Sequence, residues 1–115
     1  MKDNVIVSKS KLFAVRCVRL YQYLVKEKKE FVMSKQLLRS GTSIGANVKE
    51  ALRGQSKADF YSKLNISLKE ASETEYWLEL LNECGYIEDK YFSGIYRECQ
   101  ELISILVSIT KHQKD

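Results

Sequence analysis

The sequence predicts an all-α fold, an antiparallel up-down-up-down four-helix bundle. Three observations point to it. The 115 residues contain no proline and only five glycines, and 30% of them are charged, a composition that suits helix interiors. Apolar residues recur at three- and four-residue spacing through four long segments, whereas strand-like alternation is scarce. Short polar connections separate the segments, which favours neighbouring helices that pack side by side. The length suits a single domain spanning residues 1–115.

The first helix is predicted over about 8–26. Phe13, Cys17, Leu20, Tyr21 and Leu24 share one face, with Ala14, Val18 and Val25 beside them. "KEKKE" then forms a polar turn.

The second helix, about 30–53, contains the stretch "RSGTSIGANVKEALRG". Its composition is loop-like, but Met33, Leu37, Leu38, Gly41, Ile44, Gly45, Val48, Ala51 and Leu52 fall on one arc. The period does not slip across the two glycines, as it would at a loop, so a continuous helix is expected; a kinked helix is the rival reading. Both glycines lie on the apolar arc. The helix-propensity cost of each, about 0.5–1 kcal/mol against alanine, could be offset by close contact with a neighbouring helix.

The third helix is expected over about 57–84. Ser56 is its N-cap, with Asp59 three residues on as a capping-box variant. Gly85 follows as a C′ glycine. The fourth, about 88–112, starts at the acidic pair Glu88–Asp89, which complements a helix N-terminus. Phe92, Ile95, Tyr96, Cys99, Leu102, Ile103, Leu106 and Ile109 line its inner face.

Helix three carries more apolar surface than one bundle needs. Phe60, Leu64, Leu68, Ala71 and Leu78 make an inner stripe. Ile66, Trp77, Leu80 and Cys84, with Tyr76 at the edge, make a second stripe on the far side. An exposed stripe of this kind marks an interface. The expectation is a homo-oligomer, with a broader monomer core as the bland reading.

Helix two and helix three also carry a resemblance. Gln36, Arg39, Ser40, Ser43, Ile44, Asn47 and Glu50, then Asp59, Phe60, Leu64, Ser67, Glu70, Ala71, Ser72 and Glu73, and "ECGYI" at 83–87, are similar to the bacterial four helix bundle protein family. That family includes proteins encoded inside intervening sequences of large-subunit rRNA genes. A related branch resembles the accessory protein of diversity-generating retroelements. The match departs at Ala51, where the family pattern has glycine after the glutamate. The resemblance implies a ring-like assembly, a homopentamer, and no enzyme activity. For the retroelement branch it implies binding to nucleic acid and to a reverse transcriptase.

Chemistry-bearing constellations are missing from the sequence. The single histidine, His112, lies at the end of the last helix, which leaves no Glu-x-x-His pairs for a di-iron bundle and no histidine base for a Ser or Cys nucleophile, rarer bases aside. GTSIG is not a phosphate loop. Cys17, Cys84 and Cys99 lack zinc spacing, and each lies among apolar residues, so they read as small buried hydrophobes in a reducing cytosol. Glu70, Glu73 and Glu75 read as ion-pairing residues, and Ser40 and Asn47 as interhelical hydrogen-bonding residues. No cofactor or metal is expected, and the chain is not expected to be an enzyme.

The formal charge of +4 permits an anionic partner without demanding one. Its distribution is more telling. Lys9, Arg16, Arg19 and Lys26 form one stripe on helix one, with Leu12 and Tyr23 between them. Lys35, Arg39, Lys49 and Arg53 form another on helix two, with Lys57 beyond. Such stripes with an aromatic can track a phosphate backbone, so RNA or DNA is one expected partner. They are equally an ordinary solvated face, which leaves a protein–protein scaffold as the alternative. "MKDNVIVSKSK" lacks a signal-peptide core, and no run reaches the ~18 apolar residues of a membrane span. A soluble, cytoplasmic protein is expected.

Overall fold

The computed structural model describes residues 2–114; Met1 and Asp115, the ends of the predicted domain, lie outside the described residues. Within them the fold is all-helical and contains no strand. The helices are α1 (Lys2–Lys26), α2 (Met33–Leu52), α3 (Lys57–Glu83) and α4 (Asp89–Thr110), followed by a 3-10 turn at Lys111–Lys114. Each helix packs on the next, and α4 returns to α1. The molecule measures 46 × 21 × 19 Å. Its longest helix has 27 residues, roughly 40 Å at 1.5 Å per residue, so helix length sets the length of the molecule. One apolar core runs through it, with Phe13, Leu24, Leu37, Ile44, Leu64, Leu78, Ile95, Leu102 and Leu106 all buried.

The ends of the helices differ from the sequence expectation for identifiable reasons. α1 starts at Lys2 rather than near residue 8 because Ile6, only 1% exposed, extends the buried stripe one turn earlier. α2 starts at Met33 rather than residue 30 because Glu30 is its cap. The Glu30 carboxylate accepts hydrogen bonds from the backbone N–H groups of Val32, Met33 and Ser34 at 3.1, 2.9 and 2.7 Å. Ser34 Oγ donates back to the Glu30 carbonyl at 2.7 Å. These bonds satisfy amides that have no partner within the helix, and they hold a negative charge at its positive end. Lys29, at φ 55°, makes the turn that brings Glu30 into place.

At the start of α3, Ser56 Oγ accepts from the Asp59 amide at 3.0 Å, as a cap should. The reciprocal bond goes to Gln55 N rather than to Ser56 N, at 3.2 Å. Gly85, at φ 84°, turns the chain out of α3. α4 ends at Thr110, and the expected last helical turn tightens into the 3-10 segment.

The α1–α2 seam rests on small residues. A Cβ built on Gly41 would overlap Cys17 Sγ and stand 3.0 Å from Cys17 Cβ. One built on Gly45 would stand 3.3 Å from Ser10 Oγ. α2 is one unbroken helix across both glycines. On its other side α2 meets α3 through polar contacts. Ser67 Oγ donates to the Ile44 carbonyl at 2.9 Å, and the hydroxyls of Ser40 and Thr74 meet at 2.9 Å. Asn47 instead bonds within its own helix, to the Ser43 carbonyl at 2.8 Å. Among the described residues no buried side-chain nitrogen or oxygen lacks a partner.

Candidate nucleic-acid interface

The basic residues picked out in α1 and α2 do not form one uniform set. Three of them are held by carboxylates. Lys9 Nζ lies 3.1 Å from Glu101 and Arg16 Nη1 lies 2.5 Å from Glu98, both across the α1–α4 contact. Arg39 bridges α2 to α3, at 3.2 Å from Glu70 and 2.5 Å from Glu73. In the folded chain these three cations are therefore paired. Glutamates on the helix packed alongside come within reach once the chain folds, and they neutralise the charges locally. Burial disfavours the charged form of Arg16, but hydrogen bonds to Tyr91 and Glu98 more than offset this and raise its pKa. The hydrogen bond that Arg39 donates to Glu73, opposed by desolvation and helped by Glu70, raises the pKa of Arg39. Glu73 in turn sits below the ordinary carboxylate range because Trp77 and Arg39 both donate to it.

The remaining five, Arg19, Lys26, Lys35, Lys49 and Arg53, are exposed and have no carboxylate within ion-pair distance among the described residues. Lys49 and Arg53 also line a groove of about 450 Å³ along the α1–α2 seam. Lys11 on α1 forms its opposite wall. Small side chains open the groove: Ser10 and Ala14 on α1, Thr42 and Ala46 on α2, with Gly45 between. Its lining contains no acidic residue. Lys11 was missed from sequence because it falls off the line joining Lys9, Arg16, Arg19 and Lys26. Its position one residue beyond Ser10, which faces Gly45, is what brings it to the seam.

A model of the 23S rRNA-intervening sequence protein family matches residues 2–108. The chain belongs to the 23S rRNA-intervening sequence protein family. It is also similar to a crystal structure from Bacteroides thetaiotaomicron VPI-5482, described as a protein with unknown function from the S23 ribosomal protein family. The two share 60% identity over 96% of this chain and 99% of that one, with a TM-score of 0.95. No curated protein matches the chain. The α2 residues that carry the resemblance fall in two places here. Arg39, Ser40 and Glu50 contact α3, the last through Lys63 at 3.2 Å, while Ser43 and Asn47 bond within α2.

The second apolar stripe of α3 also divides. Ile66 and Tyr76 are exposed, and Cys84 is exposed at the end of the helix. Trp77 and Leu80 are half-buried, and Trp77 packs against the core with its indole N–H on Glu73 at 2.9 Å. Two cysteines match the expectation of buried hydrophobes. Burial pushes the Cys17 thiol up to about 12 and that of Cys99 higher still. Cys84 does not match, because α3 stops at Glu83 and leaves it in the turn. Among the described residues no three His, Cys, Asp or Glu side chains gather to hold a metal, and no helix is long and apolar enough to cross a membrane.

Proposed function

We propose that this family member is a non-enzymatic, ring-like homo-oligomer, a pentamer of antiparallel bundles, that binds RNA or DNA through phosphate contacts. The observation that carries the reading is the acid-free groove on the α1–α2 seam, lined by Lys11, Lys49 and Arg53, with Arg19, Lys26 and Lys35 exposed elsewhere on the same two helices and likewise without carboxylate partners among the described residues. Repetition around a ring multiplies weak phosphate contacts along one strand. The family description names a 23S rRNA intervening sequence, and the Bacteroides neighbour is described within a ribosomal protein family, which supports a polyanion as the partner class. Support for antiparallel helices comes from contacts that run in opposite chain directions: Cys17 against Gly41 but Ser10 against Gly45, and Thr74 against Ser40 but Ser67 against Ile44. Support for assembly comes from exposed Ile66 and Tyr76 on α3. A cytoplasmic setting is part of the same reading.

The test compares two charge-reversal pairs in polyanion titrations, after each variant is shown to assemble. Arg19→Glu/Lys49→Glu removes unpaired cations and should weaken binding strongly. Lys9→Glu/Arg16→Glu removes cations already held by Glu101 and Glu98 and should weaken it less. An equal loss from both pairs would discard the partition between open and paired charges. Absence of wild-type binding at low salt would leave the scaffold as the better account.

A further inference from the structure

A second cavity, of about 380 Å³, opens between the C-terminal half of α1 and the start of α4. It is lined by Arg19, Leu20, Tyr23, Ile87, Glu88 and Tyr91. We propose that it binds a single unstacked guanine nucleotide, with the base against Tyr23 and Tyr91, the phosphate at Arg19 and the Watson–Crick edge at Glu88.

The size fits one small ligand, near the lower end of the ~300–1,000 Å³ range of ligand pockets. The floor is fixed and apolar, since Leu20 and Ile87 are 2% and 4% exposed. Tyr23 and Tyr91 supply aromatic surface that a base can stack on, and Tyr23 is 42% exposed where a solvated helix face needs no aromatic. Tyr91 is braced by the Arg16 guanidinium, 5.1 Å from its ring centroid, and Arg16 is itself anchored on Glu98. Arg16 is thus spent on positioning. Arg19 remains as the cavity's cation, with no carboxylate within ion-pair distance.

Glu88 supplies the selectivity. It occupies the N-cap of α4, yet its side chain makes no cap hydrogen bond and no ion pair. Ser, Thr, Asp and Asn are the side chains that favour this position, so a glutamate whose carboxylate caps nothing is open for another partner. A carboxylate accepts hydrogen bonds and donates none. Guanine presents two adjacent donors, N1–H and the N2 amino group, on its Watson–Crick edge. Adenine and cytosine pair a donor with a ring acceptor there, and uracil flanks its one donor with carbonyls. The same carboxylate repels phosphate, which orients the nucleotide with its base inward and its phosphate towards Arg19. The site rests on the nucleic-acid reading only for the source of the nucleotide, an unpaired stretch of strand rather than a free nucleotide.

The test measures anisotropy of a labelled octauridylate and of the same strand with one central guanosine, alongside saturation-transfer NMR with the four free 5′-monophosphates. Tyr23 and Glu88 are exposed, so their variants should fold. The guanosine strand should bind tighter by about fivefold or more, and Tyr23→Ala should lose at least that factor, the low end of a stacking contact's ~1–3 kcal/mol. Tyr23→Phe should behave as wild type. Glu88→Gln, which offers a donor beside its acceptor, should erase the guanosine preference and leave the uridine strand unchanged. Two strands bound equally well, with neither variant altering affinity, would overturn the guanine site and leave the phosphate face intact. Guanosine monophosphate bound through Glu88 while no strand binds would sustain the site with free nucleotide as its source, and would remove the strand reading. No binding of either probe would remove both.

Discussion

Gly41→Ala and Gly94→Ala are the same substitution in two helix interiors, and the structure assigns them opposite signs. Alanine in place of glycine favours a helix by about 0.5–1 kcal/mol at either position. At Gly94 nothing opposes this, because the nearest atom to a new Cβ is Arg16 Nη1 at 4.0 Å, an ordinary contact. At Gly41 the new Cβ overlaps Cys17 Sγ, and Cys17 is fully buried with nowhere to move. Overpacking a core of this kind costs about 1–3 kcal/mol. Gly41→Ala should therefore be destabilising and Gly94→Ala stabilising, with the two variants separated by about 1–3 kcal/mol. Urea denaturation at one fixed protein concentration measures this, since the proposed assembly would make stability concentration-dependent. Cys17→Ala supplies the cross-check. It empties the space the new methyl needs, so the double variant should be more stable than the sum of the single changes by about 0.5–3 kcal/mol. A Gly41→Ala protein as stable as Gly94→Ala, or a strictly additive double variant, would refute the close contact.

Glu30→Gln should cost about 0.5–2 kcal/mol at neutral pH, the range of a helix cap. Burial alone would raise the Glu30 pKa, but the amides of Met33, Ser34 and Val32 lower it overall, so its stabilisation is present above the unfolded value of about 4.3 and fades as pH falls through the folded one. Denaturation midpoints of wild type and variant should converge in acid; a gap that is constant from pH 7 to pH 3 would count against the cap. Tyr76→Glu places a charge on the exposed part of the α3 stripe without disturbing the core, which Trp77→Glu would do, and native mass spectrometry should show loss of the oligomer. A wild-type protein that is monomeric at micromolar concentration would end the assembly proposal. Cys84 should react with a thiol reagent in Tyr76→Glu and be slower in the assembled wild type, whereas Cys17 and Cys99 should stay silent in both until denatured.

Periodicity made most of the architecture legible, and α2 shows why. Its apolar arc continues through Gly41 and Gly45, so a segment of loop-like composition still reads as helix. Local propensity misled at the start of α1, where Val5, Ile6 and Val7 are β-branched and weak helix formers. Burial of Ile6 outweighs that preference. The Glu30 cap was not legible, because a side chain reaching forward from a turn leaves no periodic trace. In α3 the buried Ser67 and Thr74 were invisible as core residues, since their burial is tolerable through the Ile44 carbonyl and the Ser40 hydroxyl on α2, together with the Glu70 carbonyl that also accepts from Thr74. The basic stripes were legible as composition but not as charge. Whether Arg16 is open or neutralised depends on Glu98, which is distant in sequence and near only in the fold. The Tyr23–Tyr91 cleft has the same origin, joining α1 to the start of α4.

The most direct measurement of the central claim is the salt dependence of binding to a single-stranded RNA. Each phosphate contact contributes about −0.7 to the slope of log K against log salt. The six unpaired cations of the proposed contact surface in one subunit, Lys11, Arg19, Lys26, Lys35, Lys49 and Arg53, therefore set a slope of roughly −4, and steeper if neighbouring subunits share the strand. Arg19→Glu/Lys49→Glu should make the slope shallower, whereas Lys9→Glu/Arg16→Glu should change it little. A wild-type affinity that does not vary with salt, or a slope untouched by loss of the unpaired cations, would contradict the account.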